Sequence, residues 1–266
     1  MYSFNYVKPK SLAEVGEFLQ ANPDARPLAG GMTLIPTLKA RLAQPSHLVD
    51  IGALDELKGI EVRNNALVIG AGTRHVEVAR SQKVREAIPA LADLANHIGD
   101  PAVRNCGTIG GSVANNDPAA DYPAGVLGLG ATIVTNKREI AADDFFQGMF
   151  ATALEAGELI VRVSFPVPKR AAYQKFAHPA SRYAMCGVFV AETSKGVRVA
   201  VTGAGPGVYR WSEAEAALGK NLSADALAGL ATSPDGMNED IHGTREYRAN
   251  LVNVMTKRAV NKLLGR

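Results

Sequence analysis

Cysteine is scarce in this chain of 266 residues, which contains only Cys106 and Cys186. Two thiols cannot build a disulfide framework, and they cannot supply the four thiolates that an iron–sulfur cluster usually needs. The five histidines stand far apart, with no pair at the spacing of a metal-binding helix. We therefore expect no metal site in this chain, and any iron–sulfur cluster would belong to another chain.

A strong excess of one charge is also lacking, because the formal net charge is only +3 and the Lys and Arg residues are scattered. Such a chain has no electrostatic footprint for nucleic acid or for an anionic membrane surface. No apolar run approaches the roughly 18 to 20 residues that span a bilayer, and the N-terminus shows no basic region followed by an apolar one. These absences predict a cytoplasmic protein with a small-molecule ligand.

The common nucleotide and hydrolase motifs are missing as well. The sequence has no G-x-x-x-x-G-K-S/T, and its glycine clusters at 70–72 and 203–207 do not complete a G-x-G-x-x-G. A G-x-S-x-G nucleophile elbow is absent too. A P-loop, a Rossmann dinucleotide site and a serine hydrolase site are therefore not expected.

What the chain does contain is enough apolar sequence, 47%, to bury the cores of two or three modest domains. Near the N-terminus, Ser11 with Glu14 three positions later is typical of a capping box that opens a helix. Strands are predicted over 25–28 and 47–51, with a helix from Leu34 between them. This order indicates a small sheet backed by helices.

The middle of the chain opens with the pattern of a β-hairpin, in which 59–63 and 66–70 flank an Asn64-Asn65 turn. The further predictions here are a helix capped by Thr73, a helix along the apolar stripe 84–98 that Asp100-Pro101 stops, a helix over 124–131, strands over 131–135 and 159–165, and a linker over 166–170.

The last third is predicted to combine strands with terminal helices. The expected elements are strands over 187–192 and 197–203, a helix opened by a second capping box of Ser212 and Glu215, a helix from Ser223, and a helix over 244–264 with one apolar side.

Two Gly-Gly turns are the most informative feature of the sequence. The first glycine segment, residues 28–34, contains Gly30-Gly31, and the second, residues 107–111, contains Gly110-Gly111. Glycines let a backbone approach a ligand closely, and the second turn is expected to stand just before the helix near residue 124, where free N–H groups favour an anion. We predict that the two segments together hold a diphosphate, although each alone is also typical of an ordinary tight turn.

These same residues carry a resemblance to a known family. Residues 29–36 (AGGMTLIP), 41–45 (RLAQP) and 47–51 (HLVDI) resemble the opening of the FAD-binding medium subunits of bacterial molybdenum hydroxylases. Residues 98–101 (IGDP), Arg104, 107–111 (GTIGG) and 115–124 (NNDPAADYPA) resemble that family's second flavin motif. The carbon monoxide dehydrogenase type is the most similar, and xanthine dehydrogenase FAD-binding subunits share the pattern, which covers most of the chain.

The resemblance implies an α+β protein with a PCMH-type FAD-binding fold, made of two α/β subdomains at 1–55 and 56–168. A C-terminal flavoprotein domain at 172–266 would add an antiparallel sheet with helices. The chain would then bind FAD non-covalently, with the molybdenum cofactor on a large partner subunit and the [2Fe–2S] clusters on a small one. It would pass electrons through FAD to an external acceptor, and the family implies a dimer of heterotrimers.

The resemblance also implies which residues contact FAD. The diphosphate would be held by main-chain N–H groups of Gly30, Gly31, Thr33, Gly110 and Gly111. Asp121 would accept hydrogen bonds from the ribityl chain, and Lys175 would place a cation near the flavin ring. The full set implied by the matched positions is Arg26, Leu28, Ala29, Gly30, Gly31, Met32, Thr33, Leu34, Ile98, Gly107, Thr108, Ile109, Gly110, Gly111, Ser112, Asn115, Asp121, Leu154, Lys175 and Tyr183.

Several readings stay open at this stage. Met32 stands where the family usually has His, and the family's basic run after Lys175 is reduced to Phe176-Ala177-His178-Pro179, so oxidation of carbon monoxide in particular is not implied. Asp121 could merely begin a helix, and Ile98, Ile109 and Leu154 could be core residues. A self-sufficient PCMH-type flavin oxidase and a non-enzymatic assembly subunit with a vestigial FAD site are the alternative functions.

Overall fold

Three β-sheets follow one another along the chain in the computed structural model, which describes all 266 residues. Helices pack against each sheet, so the protein has the α+β fold that was expected. A small two-stranded ribbon completes the strands.

The first sheet is parallel and has the strand order β1-β3-β2. Ser11 caps the first helix by accepting a hydrogen bond from the Glu14 N–H at 3.2 Å, which confirms the predicted helix start. Val15 and Leu19 of this helix are buried in a cluster that also contains Val49 of the sheet. The elements are β1 (Asn5–Val7), α1 (Leu12–Ala21), β2 (Arg26–Leu28), α2 (Leu34–Lys39), β3 (His47–Asp50) and a 3₁₀ turn (Asp55–Leu57).

The second sheet is antiparallel, with the strand order β4-β5-β10-β6-β7. Its first hairpin turns at Asn64 and Asn65, whose φ angles of 49° and 57° are those of the predicted turn. The elements are β4 (Ile60–Arg63), β5 (Ala66–Gly70), β6 (Thr132–Thr135), β7 (Glu139–Ala141), a short helix α9 (Ala142–Phe145), the ribbon β8 (Phe146–Gly148) with β9 (Ala151–Thr152), and β10 (Ile160–Pro166).

Six helices lie between β5 and β6, and they correct one prediction. The apolar stripe 84–98 is not one helix, because Pro89 has no N–H to continue the first helix and instead begins a second. Asp100-Pro101 does not stop a helix but starts one, since the Asp100 carboxylate accepts from the Val103 N–H at 2.9 Å. The helices are α3 (His75–Arg80), α4 (Gln82–Ala87), α5 (Pro89–Asn96), α6 (Pro101–Cys106), α7 (Ile109–Asn115) and α8 (Tyr122–Gly128).

Two predicted helix caps are wrong because tertiary partners take the capping groups. The Thr73 hydroxyl donates to the Gly59 carbonyl, and Arg74 stands at the N-cap of α3, where its N–H donates to Glu77. Glu215 forms no capping box with Ser212, because its carboxylate accepts from the Val199 N–H of the third sheet at 2.9 Å.

The third sheet is antiparallel, β11-β12-β13-β14, and the long last helix packs on one face of it. Val188 and Val201 of the sheet share a buried cluster with Leu251, Val252 and Met255, which confirms the predicted apolar side of that helix. The elements are β11 (Arg170–Ala177), β12 (Ala184–Thr193), β13 (Gly196–Thr202), β14 (Tyr209–Arg210), α10 (Ser212–Lys220), a 3₁₀ turn (Ala224–Leu227) and α11 (Arg245–Leu263).

A single apolar cluster runs from Val15 to Phe165 and reaches Tyr173 and Phe189 of the third sheet. Because this core is continuous across residue 55, the boundaries 1–55, 56–168 and 172–266 stay predictions. None of the helices has both the length and the apolar character needed to cross a bilayer. The cellular location also stays a prediction.

We expect Asn116 to be important for the stability of this arrangement. It ends α7 in the left-handed conformation (φ 44°), and its buried amide donates to the carbonyls of Gly148 and Ala151, each at 2.7 Å. Asn116→Ala should lower the free energy of unfolding by about 3 kcal/mol, because both carbonyls lose a donor and alanine disfavours this backbone. Asn116→Gly should cost about 1 kcal/mol less in the same denaturant titration; equal losses would show that the backbone conformation contributes nothing.

A second prediction concerns His75, which opens α3 and is only 4% exposed. Burial, with a smaller effect of the nearby Arg104 cation, lowers its pKa from 6.5 to about 4. The unfolded chain therefore binds this proton at a higher pH than the folded chain, so stability falls as the pH drops from about 6.5 to about 4. Between pH 7 and pH 4 the protein should lose about 3 kcal/mol more than the His75→Leu variant; parallel losses would contradict this.

Candidate functional site

The two glycine segments are in direct contact in the folded chain. A Cβ atom added to Gly30 would lie only 2.7 Å from the Gly107 Cα and would also overlap the Cys106 carbonyl. No residue other than glycine fits there without moving one of the two backbones. The first sheet and the helical region of the second thus meet at this contact.

A cleft of about 1210 Å³ opens along both segments. Its volume is on the scale of a large cofactor site. The predicted site residues that line it are Arg26, Ala29, Gly30, Gly31, Met32, Thr33, Leu34, Ile98, Gly107, Thr108, Gly110, Gly111, Ser112, Asn115, Asp121, Leu154 and Tyr183.

Three predicted site residues do not line the cleft. Ile109 is a fully buried core residue, and its N–H donates to the Thr73 carbonyl. The Leu28 side chain packs beneath Gly31, and the Lys175 side chain is only 2% exposed. Any influence of these residues on a ligand would be indirect.

The first glycine segment presents free hydrogen-bond donors. None of the backbone N–H groups of residues 30–33 donates to another group of the chain. Gly31 has a φ of +69°, which tilts the segment away from the strand geometry of β2 just before it. Consecutive unpaired amides in a concave backbone form an anion-binding nest.

The second segment uses its amides internally, which corrects the prediction for two donors. The Gly110 N–H donates to the Ala71 carbonyl at 2.8 Å, and the Gly111 N–H donates to the Thr108 hydroxyl oxygen at 3.2 Å. The glycines do not precede the helix that starts at Tyr122; they form the first turn of α7, which Thr108 caps. The Thr108 hydroxyl hydrogen stays available to a ligand.

A buried ion pair stands at one end of the cleft. The Lys175 ammonium lies 2.9 Å from Asp121 and donates to the His97 carbonyl at 3.0 Å, while the Tyr173 hydroxyl donates to the other Asp121 oxygen at 2.5 Å. Burial raises the pKa of the Asp121 carboxyl, and the Lys175 cation and the Tyr173 hydroxyl act in the opposite direction.

This pairing bears on the expectation that Lys175 places a cation near the flavin ring, which stays a prediction. Its charge is balanced by Asp121, and two of its three ammonium hydrogens are already engaged. Tyr173 was not among the predicted site residues, although strand alternation could have shown it, since residues 173 and 175 of β11 share one face.

The walls of the cleft combine apolar and polar side chains. Ile98 and Leu154 are partly buried against the core, whereas Tyr183 is 48% exposed. The Arg26 guanidinium donates to the carbonyls of Pro23 and Ala25, so it is fixed at the rim. The arrangement therefore offers neutral donors for an anion at one place and flat apolar contacts for a ring at another.

Two family models match this chain. Residues 2–168 match the FAD binding domain in molybdopterin dehydrogenase, and residues 171–263 match the CO dehydrogenase flavoprotein C-terminal domain. Together they cover nearly the whole chain.

Individual relatives match at full length. The carbon monoxide dehydrogenase medium chain of Afipia carboxidovorans is 36% identical over 99% of this chain and 98% of its own. The glyceraldehyde dehydrogenase medium chain of Sulfolobus acidocaldarius is 35% identical over 98% of both chains.

Solved structures agree with this picture. A chain of the reconstituted CO dehydrogenase from Oligotropha carboxidovorans superposes with a TM-score of 0.94 at 35% identity, covering 100% of this chain and 99% of its own. The fold, both domain matches and the full-length relatives lead to one assignment: the chain belongs to the family of FAD-binding medium subunits of molybdopterin dehydrogenases.

Proposed function

We propose that this chain binds FAD non-covalently in the cleft and acts as the electron-transfer subunit of a three-subunit molybdenum hydroxylase. The observation that carries the proposal is the row of unpaired N–H groups at residues 30–33, held against the second glycine segment by the Gly30 contact.

The chemistry of this donor set fits a diphosphate. Backbone amides give directed hydrogen bonds to phosphate oxygens without burying an ammonium group. The Thr33 and Thr108 hydroxyls are available as further donors from the two segments. Four consecutive amides with no partner in the chain line a cleft of cofactor size, and this combination favours FAD binding over the assembly-subunit alternative.

The rest of the cleft supplies the other contacts. Ile98, Leu154 and Tyr183 provide surfaces for an aromatic ring. The Asp121 carboxylate, whose two oxygens already accept from Tyr173 and Lys175, would accept a further hydrogen bond from a ribityl hydroxyl. Bound FAD would supply a redox centre that exchanges electrons one or two at a time. The chain's own residues bind and orient it, and they exclude water from part of it.

The partners follow from the family. Relatives are named as medium chains or subunits, which favours a complex over a self-sufficient oxidase. We propose that a small subunit with [2Fe–2S] clusters delivers electrons, that a large subunit holds the molybdenum cofactor, and that this chain passes the electrons to an external acceptor. A dimer of such heterotrimers is the proposed assembly.

The medium subunit gives little information on the substrate. Relatives named for glyceraldehyde, carbon monoxide and nicotine are 35%, 36% and 33% identical to this chain. Because such different substrates go with nearly equal identity, we propose that the large subunit selects the substrate.

Purification from the native source should yield molybdenum, iron and flavin together; a complex without flavin would contradict the proposal.

The first test within the chain is Gly30→Ala. The added methyl group would overlap the Cys106 carbonyl and separate the two segments. We expect FAD affinity, measured by titration of flavin fluorescence, to fall at least about 100-fold, or about 2.7 kcal/mol. Gly31→Ala, which strains a positive φ without a backbone clash, should cost about tenfold.

Gly219→Ala is the matched control, since its new Cβ would meet nothing within 4 Å and helix α10 favours alanine. Its affinity should equal that of the unmodified protein. If Gly30→Ala binds FAD as tightly as this control, the diphosphate does not lie at the glycine contact.

A second test concerns the flavin potential. Asp121→Asn removes the anion that balances Lys175, so an uncompensated cation would remain beside the cleft. A positive charge favours the electron-rich reduced ring, and the midpoint potential should rise by on the order of tens of millivolts. Tyr173→Phe removes a hydrogen bond from the same carboxylate without changing the charge and should shift the potential much less; equal shifts would refute an electrostatic role.

A further inference from the structure

The connection between β11 and β12, residues 178–183, forms one edge of the cleft, and we refer to it as the cleft loop. Ala180, Ser181, Arg182 and Tyr183 all line the cleft. We propose that His178 is a positioning residue that holds this loop, and with it Tyr183, over the bound flavin. This inference rests on the proposed FAD site.

His178 organises the loop through its ring. The backbone N–H groups of Ala180 and Ser181 both donate to the His178 Nδ1, at 3.2 Å and 3.1 Å. An imidazole nitrogen that accepts hydrogen bonds carries no proton, so the neutral ring has its proton on Nε2. One side-chain atom thus fixes the first turn of the loop.

The backbone of His178 closes the same loop at its other end. Its N–H donates to the Tyr183 carbonyl at 2.8 Å, and its carbonyl accepts from the Arg182 N–H at 2.9 Å. Arg182 has a φ of +64°, a conformation that costs a non-glycine residue about 1 kcal/mol or more. The loop therefore needs a restraint to keep this shape, and His178 is the residue that bonds to each part of it.

The His178 ring is itself supported from the C-terminal region. It contacts the ring of His242 edge to face, with centroids 4.3 Å apart. The turn that carries His242 is fixed because its N–H donates to Asp240, which the buried Arg248 also binds at 2.7 Å. Arg248 in turn donates to the carbonyl of Met185 on β12 and to the carbonyl of Gly203, which directly follows β13. The ring is thus linked to the third sheet indirectly, through the turn that carries His242.

The fixed loop would retain a bound ligand in the cleft. Tyr183 is half-exposed, and no hydrogen bond fixes its hydroxyl, so its position depends on the backbone of the loop. With the loop held, the aromatic ring stays at the cleft and slows the escape of a bound flavin. With the loop released, the same side chain moves into solvent.

Three substitutions distinguish the effect of the hydrogen-bond acceptor at Nδ1 from the effect of the size of the ring. His178→Asn keeps an oxygen acceptor at the position of Nδ1, His178→Gln places it at the position of Nε2, and His178→Ala removes it. We expect FAD to dissociate about tenfold faster from the Ala and Gln variants, with higher fluorescence of the bound flavin, and at nearly the normal rate from the Asn variant. Amide hydrogen exchange at residues 180 and 181, measured without FAD, should follow the same order.

The outcomes are distinguishable. Rescue by Asn but not by Gln supports the positioning role, because a purely space-filling role would treat the two amides alike. Equal dissociation rates in all four proteins, or equal acceleration in all three variants, would overturn the inference while leaving the FAD site intact. If the unmodified protein binds no FAD, the proposed function itself fails, and the retention role fails with it.

Discussion

The close approach of Gly30 to the backbone of Cys106 and Gly107 is the constraint on which the site depends. Gly30 follows a strand of the parallel first sheet, whereas Cys106 and Gly107 lie in the helical region of the antiparallel second sheet. The cleft exists because two backbones touch at van der Waals distance, and the absence of a Cβ at one position allows this.

The two glycine segments have different roles in the site. The amides of residues 108–111 are largely used to fix α7 against Ala71, so this segment is a rigid wall. The amides of residues 30–33 have no partner in the chain and these residues line the cleft, so this segment can supply the donors. A ligand that takes up these donors breaks no hydrogen bond within the protein.

Local features of this fold could be predicted from the sequence, and features with distant partners could not. The Ser11 cap, the Asn64-Asn65 turn and α11 depend on neighbouring residues, and all three were predicted. The Thr73 cap, the Ser212 capping box and the Gly110 donor were wrong because Gly59, Val199 and Ala71 take those groups. The pairing of Lys175 with Asp121 was not predicted either. Sequence spacing contains no information on such competitors.

Strand β11 connects these observations, because its side chains alternate between two faces. One face contributes to the site and to the first apolar cluster, and the other contributes to the cluster under α11. Tyr173 and Lys175 point toward Asp121, while Ala172 and Phe176 on the other face belong to the cluster under α11. Gly187, paired with Lys175 across the sheet, leaves room for the Tyr173 hydroxyl. A shift of one residue in the register of β11 would exchange its two faces and bury the wrong side chains. It would also move His178 away from the N–H groups of residues 180 and 181. The register of this one strand therefore sets both the buried ion pair and the edge of the cleft.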